Sequence, residues 1–232
     1  MATPVDLLAF GPHPDDIEIG VGATVAKQAR SGHRVGLCDL TRGELGSNGT
    51  VDQRRAEGQA AAEVLGVAWR ENLEWPDGDI GGADQVRSAV EVLRRCRPAT
   101  VLIPHWDDRH PDHVAASQVL TRSVFNSGLR KYAAAGEPWR PDWVCYYFIN
   151  GTATPSFVVD VTEDYDRKRQ ALDCHRSQFN PAEADAVATR LTTSRFRQLI
   201  ETRDAGFGVA VGVAFAEGFV VTEPVLRRDV MK

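Results

Sequence analysis

Val5-Asp6-Leu7-Leu8-Ala9-Phe10-Gly11-Pro12-His13-Pro14-Asp15-Asp16 is the stretch on which the fold turns. Val5 to Phe10 is too short and too apolar for an amphipathic helix and is bounded by Pro4 and Gly11, which reads as a buried parallel strand. It delivers the chain to an imidazole and two carboxylates. Gly20-Val21-Gly22-Ala23 then opens a helix running to about Ser31, with Gly32 past its end. A strand that ends in reactive side chains just before a helix is the usual arrangement at the ligand-binding edge of an open α/β sheet.

The pattern repeats outward from this unit. Arg34 to Leu40 is a second strand, followed by the polar loop Thr41 to Gly49. Thr50 and Gln53 form a capping-box pattern before a helix closed by Gly66. A short strand spans Trp69 to Leu73, Trp75 to Asp79 is a turn, and Val86, Val90 and Leu93 recur at helical spacing until Pro98. Thr100 to Pro104 is another strand, and Val114 to Phe125 another helix. Alternating strands and helices of this length predict an α/β fold, a Rossmann-like, mostly parallel sheet with helices on both faces. The expectation is one domain over 1–232: a regular core over 1–127, then 128–232 completing the sheet and the rim of the site. In that second part Trp143 to Ile149 and Phe157 to Val161 read as strands, Thr162 caps a helix, Leu191 to Thr202 is helical, and Gly206 to Val221 is a small-residue closing segment.

With 232 residues, a formal charge of -5 and a pI near 5.7, the chain lacks the basic footprint of a nucleic-acid binder. Cys38, Cys96, Cys145 and Cys174 are widely spaced without a C-x-x-C, as reduced core thiols are, which predicts a cytoplasmic protein. No stretch approaches the ~18 apolar residues of a membrane helix, and no membrane partner is expected.

His110-Pro111-Asp112-His113 follows the Thr100 strand as His13 to Asp16 follows the first. Either cluster alone is compatible with helix-cap chemistry. Together, behind separate parallel strands, they predict a hydrolytic metal site of three protein ligands, His13, Asp16 and His113, with a fourth position for water. Asp15, between two ligand positions, is the natural general base. His110 as imidazolium is expected to support an oxyanion, with Asp112 raising its pKa and orienting it. Arg140 is expected to hold Asp15 ionised. Arg42, Arg54, Arg55 and Arg109 are placed to meet an acidic group on a substrate, and the loop carrying Glu44 and Asn48 is expected to face that substrate. His33 and His175 read as surface residues, His105 as rim, and Trp106 as a ring that either stacks on a sugar or packs internally. Gly20-x-Gly22 with Asp39 invites a nucleotide-binding oxidoreductase or binding module as the alternative from another class, but the glycines lie ten residues past Phe10 and the turn itself carries carboxylates.

Ala9 to Glu18, Thr41-Arg42-Gly43-Glu44 and His110-Pro111-Asp112-His113 together resemble the LmbE-like (PIG-L) family of zinc-dependent N-acetylglucosaminyl deacetylases. Gly43 to Thr50, Arg109 to His113 and Tyr146 to Gly151 more narrowly resemble the bacillithiol-biosynthesis deacetylases, which act on N-acetylglucosaminyl malate. The resemblance implies metal binding by His13, Asp16 and His113, with one Zn²⁺ or another divalent ion per chain. It also implies Asp15 as base, His110 as oxyanion support, Asp112 and Arg140 as partners behind them, and Arg54 as a substrate contact. The implied substrate is a small N-acetylglucosaminyl conjugate, malyl first, with inositol conjugates or chitooligosaccharides as alternatives. Relatives often form hexamers or smaller homo-oligomers. Some carry a tyrosine near the closing segment that polarises the carbonyl, where this chain has Phe207.

Overall fold

Leu7 to Gly11 form β1, with every residue buried, as an apolar pentapeptide between two helical layers requires. The computed structural model describes residues 4–180, 182, 187–226 and 229. In chain order the elements are β1 (Leu7–Gly11), α1 (Asp16–Arg30), β2 (Val35–Thr41), α2 (Val51–Leu65), β3 (Trp69–Trp75), α3 (Ala83–Cys96), β4 (Thr100–Pro104) and α4 (Pro111–Ser127). Then follow β5 (Trp143–Tyr147), β6 (Phe157–Asp160), a short turn of 3-10 helix, α5 (Tyr165–Cys174), α6 (Arg176–Phe179), α7 (Ser194–Val211) and β7 (Ala216–Val220).

The described residues build one seven-stranded sheet in the order β3-β2-β1-β4-β5-β7-β6. The first five strands are parallel, and β7 runs antiparallel between β5 and β6. The sheet is α/β and mostly parallel. Alternate residues face opposite layers: Leu7 and Ala9 pack with residues of α1, α2, α5 and α7, whereas Leu8 and Phe10 pack with residues of α3 and α4. From β1 the chain winds outward through β2 and β3, then returns to β4 on the other side. That reversal opens a crevice at the carboxyl ends of β1 and β4, and both histidine clusters follow those two ends.

The local signals act as their chemistry dictates. Thr50 accepts the Gln53 amide at 3.2 Å to start α2, and Gly66 ends it with φ at 74°, a conformation open to glycine. Two helices begin earlier than their apolar periodicity indicates, α1 at Asp16 and α4 at Pro111, so each cluster lies at a helix N-terminus. The closing segment is not irregular. Gly206 and Gly208 lie within α7, and Ala216 to Val220 is a strand inserted into the sheet.

Candidate active site

Asp15 arrives in a backbone conformation that few residues tolerate. Asp15 has φ at 132° and sits 3% exposed at the entry to α1, a strained position of the kind found at functional sites. Asp16 folds back to accept the backbone N–H of His13 at 2.9 Å and faces His13 Nδ1 at 3.0 Å. Across the crevice, His113 Nε2 lies 3.2 Å from the same Asp16 oxygen. Ligand atoms of His13, Asp16 and His113 lie within 4.8 Å of one another, and all three residues are buried.

Carboxylates surround the two imidazoles. His13 Nε2 faces Asp77 at 3.1 Å and Asp112 at 3.2 Å, and His113 Nδ1 faces Asp108 at 3.1 Å. Asn150 holds Asp108 from behind through its backbone and side-chain amides, both at 3.0 Å. Burial pulls the His13 pKa down, but Asp112, Asp16 and Asp77 outweigh it and hold it well above the usual range. For His113, burial is likewise outweighed by Asp16 and Asp108, which push it up to about 9. Despite burial, the two histidines hold Asp16 well below the ordinary carboxylate range.

This donor set fits a divalent ion. Two imidazoles and one carboxylate are a hydrolytic zinc set, and tetrahedral bonds of ~2.0–2.1 Å separate ligand atoms by ~3.3 Å, close to the spacings found. The four acids that crowd these histidines also supply the negative charge a dication neutralises. Asp108 and Asp112 stand where orienting carboxylates behind metal-binding histidines stand.

Several expected residues sit elsewhere or act otherwise. Arg140 is exposed over the Phe125 ring, in the loop that enters β5 where Asp142 and Trp143 bond Ala99. That is the amino-terminal edge of the sheet, opposite the crevice, because a loop preceding a parallel strand lies at its start. The cation facing Asp15 is Arg54, buried, 3.5 Å from the carboxylate and bonded to Gly43 O and Pro14 O, both at 2.9 Å. Burial, partly offset by Arg54, raises the Asp15 carboxyl to about 6.

His110 stacks on His113 with ring centres 4.7 Å apart, but its Nδ1 accepts the backbone N–H of Asp112, whose carboxylate is engaged by His13 and Gly78. An Nδ1 that accepts a hydrogen bond places the ring proton on Nε2, and burial and the neighbouring histidines lower the His110 pKa, both against the expected imidazolium. Asn48 does not face substrate: its amide pairs with both backbone groups of Val187 at 2.7 and 2.9 Å. Glu44 accepts the Asp77 N–H at 3.0 Å and so supports the turn that carries that acid. Arg109 is exposed on the rim beside His110.

His175 is fully buried, 3.4 Å from Glu18. Both oxygens of Asp39 are bonded to Arg70, at 2.7 and 2.8 Å, which leaves none for a ribose. Phe207, on α7, faces Phe148 with ring centres 6.0 Å apart. Asp77 and Asp108 were the residues missed by sequence reasoning. The only signal for each was its position in a turn at the carboxyl end of a strand.

The family model described as PIG-L, GlcNAc-PI de-N-acetylase, matches residues 8–124. The chain belongs to the PIG-L, or LmbE-like, family. It is 33% identical over 189 residues to the diacetylchitobiose deacetylase of Thermococcus kodakarensis, covering 75% of this chain and 70% of that one. The conserved protein TT1542 from Thermus thermophilus superposes with a TM-score of 0.88 at 38% identity, over 96% of this chain and 97% of that one. The 4-carboxy-2-hydroxymuconate hydratase GalB of Pseudomonas putida KT2440 shares the fold, with a TM-score of 0.78 at 21% identity over 99% of this chain and 100% of that one. This PIG-L family chain is a deacetylase, an enzyme that hydrolyses an amide. Among the described residues no helix is long and apolar enough to cross a membrane.

Proposed function

We infer that this enzyme removes the acetyl group from an N-acetylglucosaminyl conjugate, and that the conjugate is N-acetylglucosaminyl malate, a step of bacillithiol synthesis. The observation that carries the reaction is the buried His13–Asp16–His113 set with the Asp15 carboxylate beside it. The malyl preference is supported by a cavity of about 230 Å³ that shares Pro14 and Arg54 with the crevice and is lined also by Arg42, Arg55 and Arg70 and by the acids Asp39, Glu71 and Glu74, the last of these 3.7 Å from Arg55. Arg70 is neutralised by Asp39 and Glu18, but the Nε atoms of Arg42 and Arg54 are buried without a partner. Carboxylates satisfy such groups better than inositol or sugar hydroxyls do.

In this reading His13, Asp16 and His113 would hold one zinc or other divalent ion, which would supply Lewis acidity when bound. Asp15 takes a proton from the attacking water as the new C–O bond forms, and Arg54 keeps its carboxylate ionised and aimed. His110, protonated on Nε2, donates to the oxygen that gains charge. When the C–N bond breaks, Asp15 returns the proton to nitrogen, giving acetate and free amine. The four free cysteines accord with a cytoplasmic location, and a homo-oligomer is expected in solution.

The test is amine release by metal-replete protein from the malyl conjugate, the inositol conjugate and diacetylchitobiose, each with a chelator control. Chelator-sensitive cleavage fastest on the malyl conjugate is expected. Preference for either neutral conjugate overturns the malyl assignment, and no cleavage of any by protein carrying stoichiometric metal overturns the deacetylation reading.

A further inference from the structure

α1 is two helices, not one. Val21, at φ -141° and ψ 20°, breaks it five residues after Asp16. In an unbroken helix the N–H groups of Ala23 and Thr24 donate to the carbonyls of Ile19 and Gly20. Here both donate to the carboxylate of Glu217 on β7, at 3.1 and 2.7 Å. The Ile19 carbonyl receives its hydrogen bond from Arg203 on α7 instead, at 2.7 Å. One residue thus caps the end of the first turn and another the start of the helix that follows.

The two caps belong to one buried cluster. Arg203 donates to Asp204 at 2.9 Å, and Lys168, fully buried, bridges Asp204 and Glu217 at 2.7 Å each. Two cations thereby meet two anions, and Tyr165 adds a hydroxyl to Asp204 at 3.0 Å. Close packing leaves the break little freedom: a Cβ at Gly20 would approach the Tyr147 ring to 2.3 Å.

Arg203 also reaches the other side of the crevice. Its Nη1 donates to the carbonyls of Phe148 and Ile149, both at 2.9 Å. The next residue is Asn150, which fixes Asp108, which in turn faces His113. One guanidinium therefore joins the turn bearing Asp15 and Asp16 to the segment that orients His113.

We propose that Arg203 and Glu217 are positioning residues that hold the break in α1, and that Arg203 sets the spacing between Asp16 and His113 from the carboxy-terminal part of the chain. The inference rests on the reading of Asp16 and His113 as metal ligands. A fork of donors is required: lysine in its place keeps a charge for Asp204 but cannot serve three carbonyls on two segments.

The test is zinc affinity by chelator competition, far below the melting transition, for wild type, Arg203→Met, Arg203→Lys, Asp16→Asn and Ile200→Val. Ile200 is buried on the same helix in the apolar core and makes none of the cluster's hydrogen bonds, so Ile200→Val controls for loss of stability alone. About tenfold weaker zinc binding is expected for Arg203→Met, as for partners behind metal ligands, with little recovery in Arg203→Lys and no loss in Ile200→Val. If Arg203→Met does not fold, Arg203→Lys carries the test. Affinity within twofold of wild type in a folded Arg203 variant, or full rescue by lysine, overturns the proposal. Unchanged affinity in Asp16→Asn overturns the ligand reading instead.

Discussion

Asp15→Asn separates two effects that usually travel together. The substitution keeps the side chain's shape and removes its charge at a site 3% exposed, where the nearest cation, Arg54, is 3.5 Å away and beyond hydrogen-bonding geometry. Loss of the general base is expected to lower kcat by roughly 10²- to 10⁴-fold, or about 3–5 kcal/mol of activation free energy. Stability of the metal-free protein should move the other way. Burial holds the carboxyl at about 6 against an ordinary value of 3.8. Because the folded-state value is raised, wild type loses stability as pH climbs from about 4 to about 6, and the loss is complete above that. At ~1.4 kcal/mol per pH unit the gap has an upper bound of about 3 kcal/mol. Asp15→Asn should recover about 1–3 kcal/mol of it, raising Tm by about 2–10 °C in a chain of this size.

The assay pairs initial rates of amine release by zinc-loaded enzyme with melts of chelator-treated protein at pH 7.5 and pH 4. The Tm gain should be present at the higher pH and absent at the lower. Turnover within threefold of wild type refutes the base role. A lower Tm at pH 7.5 refutes the account of a carboxylate held at a cost and makes it a net stabilising partner of Arg54.

Three further outcomes follow from individual contacts. Arg140→Ala, at the sheet edge opposite the crevice, should leave kcat/KM within twofold, whereas Arg54→Ala should lower it at least tenfold; equal effects in steady-state kinetics would contradict this placement. Asp77→Asn removes the charge that faces His13 Nε2 and receives the Leu45 N–H, and should weaken zinc by about 10- to 100-fold in chelator competition. Arg70→Met leaves Glu18 and Asp39 buried without their cation and should cost about 3–5 kcal/mol in denaturant titration; a loss below about 1 kcal/mol would show that those acids take up protons at little cost.

The strands were legible where a short apolar run met glycine or proline at both ends, and Thr100 to Pro104 is a strand over the residues its pattern indicates. Both histidine clusters were legible because their members are neighbours in sequence, directly behind such strands. Contacts between distant segments were not. Nothing in Trp75-Pro76-Asp77-Gly78-Asp79 distinguishes an acid that reaches His13 across two strands from an ordinary turn residue. Arg140 was given the place beside Asp15 that Arg54 fills, because sequence does not reveal which edge of the sheet a loop occupies until its strand's direction is known. The carboxy-terminal part misled through its glycines. Gly206 to Val221 reads only as a small-residue closing segment, yet Gly208 lies within α7, where any Cβ would press to 2.8 Å on the backbone at Val213 and Ala214. His175 read as surface because its partner, Glu18, is far away in sequence.

The fold alone does not choose the reaction, since a hydratase shares this sheet at 21% identity. Adding water across a double bond and hydrolysing an amide both call for an activated water and a base. They part at the acceptor of the returned proton, a carbon in the one and the departing nitrogen in the other. An amine leaves an amide well only if nitrogen is protonated as the bond breaks, so the group that accepted the water's proton must give it up again within the same cycle. A carboxyl of ordinary acidity, near 4, accepts that proton reluctantly; burial raises the Asp15 carboxyl of the metal-free protein to about 6 and so makes it a better acceptor. Burial and the neighbouring Asp16 raise that value, and Arg54, too distant for a hydrogen bond, opposes them together with His175 and His13. A hydrogen-bonded partner at that position would lower the carboxyl toward ordinary acidity and weaken it as a base. In the proposed deacetylation, the looseness of the Arg54–Asp15 pair is therefore part of the catalyst, and shortening it should cost turnover even with the metal ligands intact.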